Sequence, residues 1–70
     1  MFVYTQHALE KMDALGIEKW EVEKAVKTGL KWKEEKTGKW HAQLAGIEVV
    51  IVKEEEILCI ITAYLAARSK

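Results

Sequence analysis

Apolar residues recur every three or four positions at the start of the chain, at Ala8, Leu9, Met12 and Leu15. That spacing collects them on one face of a helix. The pattern predicts a first helix from Gln6 to Leu15, with Thr5 as its N-cap, because a threonine hydroxyl can accept an orphaned backbone N–H of the first turn. Gly16 suits the C-terminal stop, where a left-handed residue is wanted, and Ile17 can fold back on Met12. A second stripe, Val22, Ala25 and Val26, predicts a helix from Glu18 or Lys19 to Thr28, with Trp20 covering one margin. Gly29 is expected to repeat the ending of the first helix, with Leu30 as its apolar follower. Together these make a helical hairpin with a very short link.

Beyond Leu30 the period falls to two. Lys31 to Glu35 reads as a polar strand anchored by Trp32, and Lys36-Thr37-Gly38 as a turn. Lys39 to Leu44 alternates, with Trp40, Ala42 and Leu44 on one face and Lys39, His41 and Gln43 on the other. Ala45-Gly46 supports a tight hairpin. Ile47 to Lys53 and Ile57 to Tyr64 are strands apolar on both faces, joined by the charged turn Glu54-Glu55-Glu56. Phe2-Val3-Tyr4 is a strand stub. A long apolar final strand left as a sheet edge invites aggregation. Something should therefore cover it: the Phe2–Tyr4 stub, the tail Leu65-Ala66-Ala67-Arg68, or a second copy forming a homodimer through the last strand. The two periods imply one α+β domain over residues 1–70. In it the hairpin packs on a twisted, mainly antiparallel sheet of about four strands.

Composition narrows the class. The 70 residues are 50% hydrophobic and 31% charged, with no proline and zero net charge. That is globular composition without a global field for nucleic acid. The charge is uneven, however. Lys24, Lys27, Lys31, Lys33, Lys36 and Lys39 crowd the middle, opposed there only by Glu34 and Glu35. A solvated face with a lysine-guarded edge strand explains them most simply, and anion or RNA binding is the functional alternative. The single cysteine, Cys59, cannot form a disulfide within the chain, and a buried, inert thiol fits a reducing cytoplasm. Polar residues follow Met1-Phe2-Val3-Tyr4 at once, so no secretory leader is expected, and the apolar runs are too short for a bilayer. With two histidines and one cysteine, no metal site or cofactor is expected.

The order of short motifs carries a likeness. Tyr4-Thr5-x-His7-Ala8-x-x-Lys11-Met12 opens the chain. Gly16-Ile17, Glu21-Val22-Glu23, Ala25-Val26 and Gly29 follow. Gly46-x-x-Val49-Val50-Ile51-Val52 and Ile61-Thr62-Ala63-Tyr64 complete the series. In these the chain resembles the small domain-of-unknown-function family 4258, grouped with the RelE/ParE-like toxins of the barnase, colicin and RelE-like ribonucleases. The resemblance covers nearly the whole chain. It implies a metal-independent endoribonuclease, in which the RNA 2′-hydroxyl attacks the neighbouring phosphate, held silent by a cognate antitoxin. One departure stands out. The family usually has arginine where this chain has Lys11, which keeps the charge but lacks the bidentate fork that fits phosphate.

Such chemistry needs a base for the 2′ proton, a cation for the phosphoryl oxygens and an acid for the leaving oxygen. His7 and His41 are the groups that titrate near neutrality. Lys11 shares the helical face of His7, and Tyr64 can donate a proton or stack on a base. These four are the catalytic candidates. Lys31, Lys33 and Lys39, assigned to the polar side of the sheet, and Trp32 are the RNA-binding candidates. Ordinary structural duties compete with each role: a helix-turn histidine, a solvated strand face, an amphipathic tyrosine at a sheet margin, tryptophans that fill a small core. The rival expectation is accordingly a catalytically inactive fold of the same kind, used as a protein- or RNA-binding module.

Overall fold

The computed structural model describes residues 1–66 of the chain. Seven elements follow in order: β1 (Phe2–Tyr4), α1 (Gln6–Leu15), α2 (Lys19–Thr28), β2 (Leu30–Lys33), β3 (Trp40–Leu44), β4 (Ile47–Glu54) and β5 (Ile57–Leu65). Five strands form one open sheet in the order β1-β5-β4-β3-β2. Four of them make an antiparallel meander, and β1 adds in parallel beside β5. The α+β class and the two helices agree with the sequence pattern. The fifth strand is the Phe2–Tyr4 stub, which covers part of the apolar last strand. Ala67 and Arg68, which belong to the tail considered for the same task, lie outside the described residues.

Local chemistry accounts for the helix ends. Thr5 accepts from the Ala8 amide at 3.0 Å and donates its hydroxyl to the Ile61 carbonyl at 3.0 Å, so one side chain caps α1 and ties it to β5. Gly16 adopts φ 72°, and the Ile17 amide reaches the Met12 carbonyl at 2.8 Å, which closes the helix in a Schellman-type ending. At the start of α2, Glu21 accepts from the Glu18 amide at 2.8 Å. Gly29 departs from expectation. Its φ of −80° and ψ of 179° are extended, not left-handed. Glycine is needed there for closeness, since a Cβ would stand 2.5 Å from the carbonyl oxygens of both Ala25 and Gln43. Leu30 then points into solvent instead of packing behind it.

Both helices lie on the same face of the sheet, α1 over β5 and α2 over β3 and β4. Ala8, Met12, Ile17, Val22, Ala25 and Val26 pack there on Ala42, Ile47, Val49, Ile51, Ile60 and Ala63. Trp40 packs against this core. Trp20 does not cover its margin as expected, because 62% of it is exposed. The core residues of β5 are three apart, at Ile60 and Ala63, which simple alternation forbids. The register explains it: Ile51 pairs with Ile60 and Val50 with Thr62, so Ile61 is an extra residue, a β-bulge. Leu58 and Ile60 face the helices before the bulge and Ala63 after it, while Thr62 and Tyr64 turn to the other face. Among the described residues, no helix lies on the other face of the sheet. No helix among the described residues is long and apolar enough to cross a membrane.

Candidate functional site on the open face of the sheet

The sheet register brings three strands' polar side chains together on the open face. Ala45-Gly46 is a two-residue turn with φ of 54° and 82°, which fixes Gln43 opposite Glu48 and His41 opposite Val50. Glu48 in turn lies opposite Tyr64, and Trp32 opposite His41. Since directly opposed residues share a face, His41, Glu48 and Tyr64 converge.

The contacts are short. His41 Nδ1 lies 2.9 Å from Glu48 Oε2, and the Tyr64 hydroxyl donates to the same oxygen at 2.6 Å. His41 Nε2 lies 3.2 Å from Glu34 Oε1. The Trp32 ring stacks on the imidazole with centroids 5.3 Å apart and planes 7° from parallel. Glu34 follows β2 directly and is held by the turn, its amide donating to the Lys39 carbonyl and its carbonyl accepting from Gly38, both at 2.8 Å.

Ionised carboxylates only accept, so an imidazole between two of them satisfies both only by donating from both nitrogens, which favours the doubly protonated cation. Burial lowers the His41 pKa, but the hydrogen bonds and charges of Glu34 and Glu48 outweigh it and leave it raised. Glu34 is correspondingly lowered, by its hydrogen bonds to His41 and Thr37 and by the charges of His41 and Lys39. Tyr64 is pushed up to about 12, first by its hydrogen bond to Glu48, then by burial. It therefore stays a phenol and a donor at any ordinary pH. The two carboxylates differ in setting: the Glu48 side chain is 15% exposed and that of Glu34 47%.

The candidates from sequence divide into two groups. His41 and Tyr64 meet through Glu48. His7, exposed, and Lys11, half-buried, belong to α1 and so to the helical layer on the opposite side of the sheet. The four do not form one constellation. The basic candidates divide as well. Lys31 and Lys33 lie opposite Ala42 and Trp40, so they line the helix-side face and not the polar face with His41, as the sequence reading had it. The physical reason is the β2–β3 register, which gives the open face to Leu30 and Trp32. Lys39 stays close enough to Glu34 to help stabilise its ionised form. Cys59 is half-buried, not buried, and lies opposite Val52 and Val3 on the open side.

Sequence reasoning missed Glu34 and Glu48. A signal for Glu48 existed: it is a lone charge inside the apolar run Ile47 to Val52, and a two-residue turn at Ala45-Gly46 sets it two strand positions beyond the cross-strand level of His41. No group of three or more His, Cys, Asp or Glu side chains among the described residues is placed to hold a metal ion. Comparison with protein-family models, with curated proteins and with solved structures gave no match.

Proposed function

We propose that the protein acts on RNA as a metal-independent, RelE-like endoribonuclease, and that the open-face cluster is its acid–base site. One observation carries the reading: His41 is held at Nδ1 by a sheltered carboxylate and at Nε2 by an exposed one. Glu48 fixes the ring and favours its cationic form. Glu34 is free to swing into water, which exposes an acidic Nε2–H toward a leaving oxygen. The second Glu48 oxygen is a base for the 2′-hydroxyl. Tyr64 supplies a phenolic donor toward the phosphoryl oxygens, and Lys39, whose charge already acts on Glu34, adds a cation near that side. A base can stack on Trp32, which is 39% exposed. His7 and Lys11, on the far layer, bind RNA at most and take no part in proton transfer. In a toxin–antitoxin pair, the half-exposed open face is where an antitoxin would lie.

Incubation of purified protein with single-stranded RNA in chelator tests this, with cleavage followed at single-nucleotide resolution. Wild type is expected to cleave. His41→Ala and Glu48→Gln should each lose on the order of 10²-fold or more, the usual weight of a general acid or base, and His7→Ala should stay near wild type. Intact RNA in every wild-type reaction would sink the proposal.

A second reading has its own support. Both His41 nitrogens and the Tyr64 hydroxyl already have partners inside the molecule. Such a network suits a non-catalytic binding module. It predicts RNA or protein binding that Trp32→Ala weakens, with no cleavage at any pH.

A further inference from the structure

The helix-side face holds a second feature, on the other side of the sheet from His41. α2 crosses β3 and β4 and leaves one end of the apolar face uncovered. Through Trp20, Glu21, Lys24 and Thr28 it reaches the Ala45–Gly46 end of the sheet. On its other flank Val26 looks across an open cleft of about 260 Å³ toward Trp40, Ile51 and Leu58. Two lysines complete the lining, Lys31 from β2 and Lys53 from β4. The register explains why they meet there: Lys31 pairs with Ala42, Trp40 with Ile51 and Lys53 with Leu58, all on one face.

We propose that this cleft binds a small amphiphilic anion, an apolar body ending in a carboxylate. The floor is aliphatic apart from one indole, so it favours an apolar body by burial alone. The two ammonium groups come from β2 and β4, the strands on either side of β3, and no carboxylate is among the described lining residues to neutralise them. Lys31 donates one N–H to the Gly29 carbonyl at 3.2 Å, which leaves others for a ligand. The size lies below the roughly 300–1,000 Å³ of sites for drug-sized molecules, so the body is small. A nucleobase fits poorly. Its ring edge needs several placed donors and acceptors, and the lining offers only lysine tips. The site is independent of the open-face chemistry.

Backbone-amide NMR of the intact protein titrated with phenylbutyrate tests it, with phenylbutanol as the uncharged control. Saturable shifts are expected at Lys31, Ile51, Lys53, Leu58 and the Trp40 indole. The alcohol should bind several-fold more weakly. The double variant K31Q/K53Q, altered only at exposed positions, should weaken the acid by about tenfold, as two partly exposed ion pairs imply, and leave the alcohol unchanged. Val26→Phe should fill the cleft and abolish binding of both. Shifts centred elsewhere, equal affinity for acid and alcohol, or an unchanged affinity in K31Q/K53Q would each overturn the proposal.

Discussion

At the residue scale the decisive arrangement is one imidazole between two carboxylates of unequal exposure, and it has a pH signature. The His41 pKa is raised above its ordinary 6.5, so its pairing stabilises the fold fully below that value and less as pH rises through the folded-state pKa. Glu34 is lowered from 4.5, so the same ion pair fades as pH falls below that range. The stability difference between wild type and His41→Gln should therefore be largest between the two values and shrink on the alkaline side. Urea melts at a series of pH values measure it, and a difference that grows above neutrality would contradict the assignment. Tyr64 gives a second test. With Glu48→Gln the acceptor loses its charge, so the Tyr64 pKa should fall from about 12 toward 10, visible in an ultraviolet phenolate titration. Tyr4 should not move with it, because its own rise comes from burial and from Glu23, which accepts its hydroxyl at 2.9 Å. His41 and Tyr64 were legible as chemistry from their residue types alone. Their partner Glu48 was overlooked, because strand alternation alone names a face and the Ala45-Gly46 turn must be added to it before the polar residues that come level on neighbouring strands can be read.

At the scale of elements, two irregularities decide which side chains meet. The bulge at Ile61 turns Thr62 and Tyr64 to the open face; on a regular strand they would share the helix side with Ile60. A strand that is apolar at nearly every position hides such a slip, so the sequence showed the strand and not the place where its faces exchange. Helix limits, the Thr5 cap and the Gly16 ending were readable because each rests on a few adjacent residues. Gly29 was misread for the opposite reason: its constraint comes from Gln43, fourteen positions away in sequence, whose carbonyl oxygen would lie 2.5 Å from an added Cβ. Gly29→Ala should accordingly destabilise by more than the ~1 kcal/mol typical of a point substitution, because two backbone carbonyls must move. The β3–β4 turn offers the reverse case. Ala45 sits at φ 54°, a left-handed conformation that costs an ordinary L-residue roughly 1–2 kcal/mol and that asparagine tolerates well. Ala45→Asn should raise stability by about 0.5–1 kcal/mol without altering the register of His41 against Glu48. Thermal melts of the variant check the first claim, and an unchanged Tyr64 titration checks the second.

At the scale of the molecule, a chain of 70 residues must manage two exposed sheet edges and one uncovered face. The β2 edge is guarded by Lys31 and Lys33, which alternate with Trp32 along a strand exposed throughout. The other edge is handled by β1, which pairs Phe2, Val3 and Tyr4 with Leu58, Cys59 and Ile60. Its hold is reinforced at both ends: the Leu58 amide donates to the Met1 carbonyl at 2.8 Å and the Thr5 amide to the Ile60 carbonyl at 3.1 Å. Tyr4 adds a tie to α2 through Glu23, with Lys19 Nζ 5.3 Å from the centre of its ring. This small strand thus covers the first part of the apolar β5, and it also sets where α1 begins. Removing residues 1–4 should leave the outer edge of Leu58–Ile60 unpaired, with only β4 on its other side, and expose Ile60, which is wholly buried in the intact protein. The expected result is a lower melting temperature together with concentration-dependent self-association, since an open apolar edge recruits another strand. Light scattering across a dilution series of the truncated and full-length chains separates the outcomes. A truncated chain that melts lower yet stays monomeric would show that β1 serves stability alone. Recovery of the monomer on adding a peptide of residues 1–5 would show that the edge itself is the sticky surface.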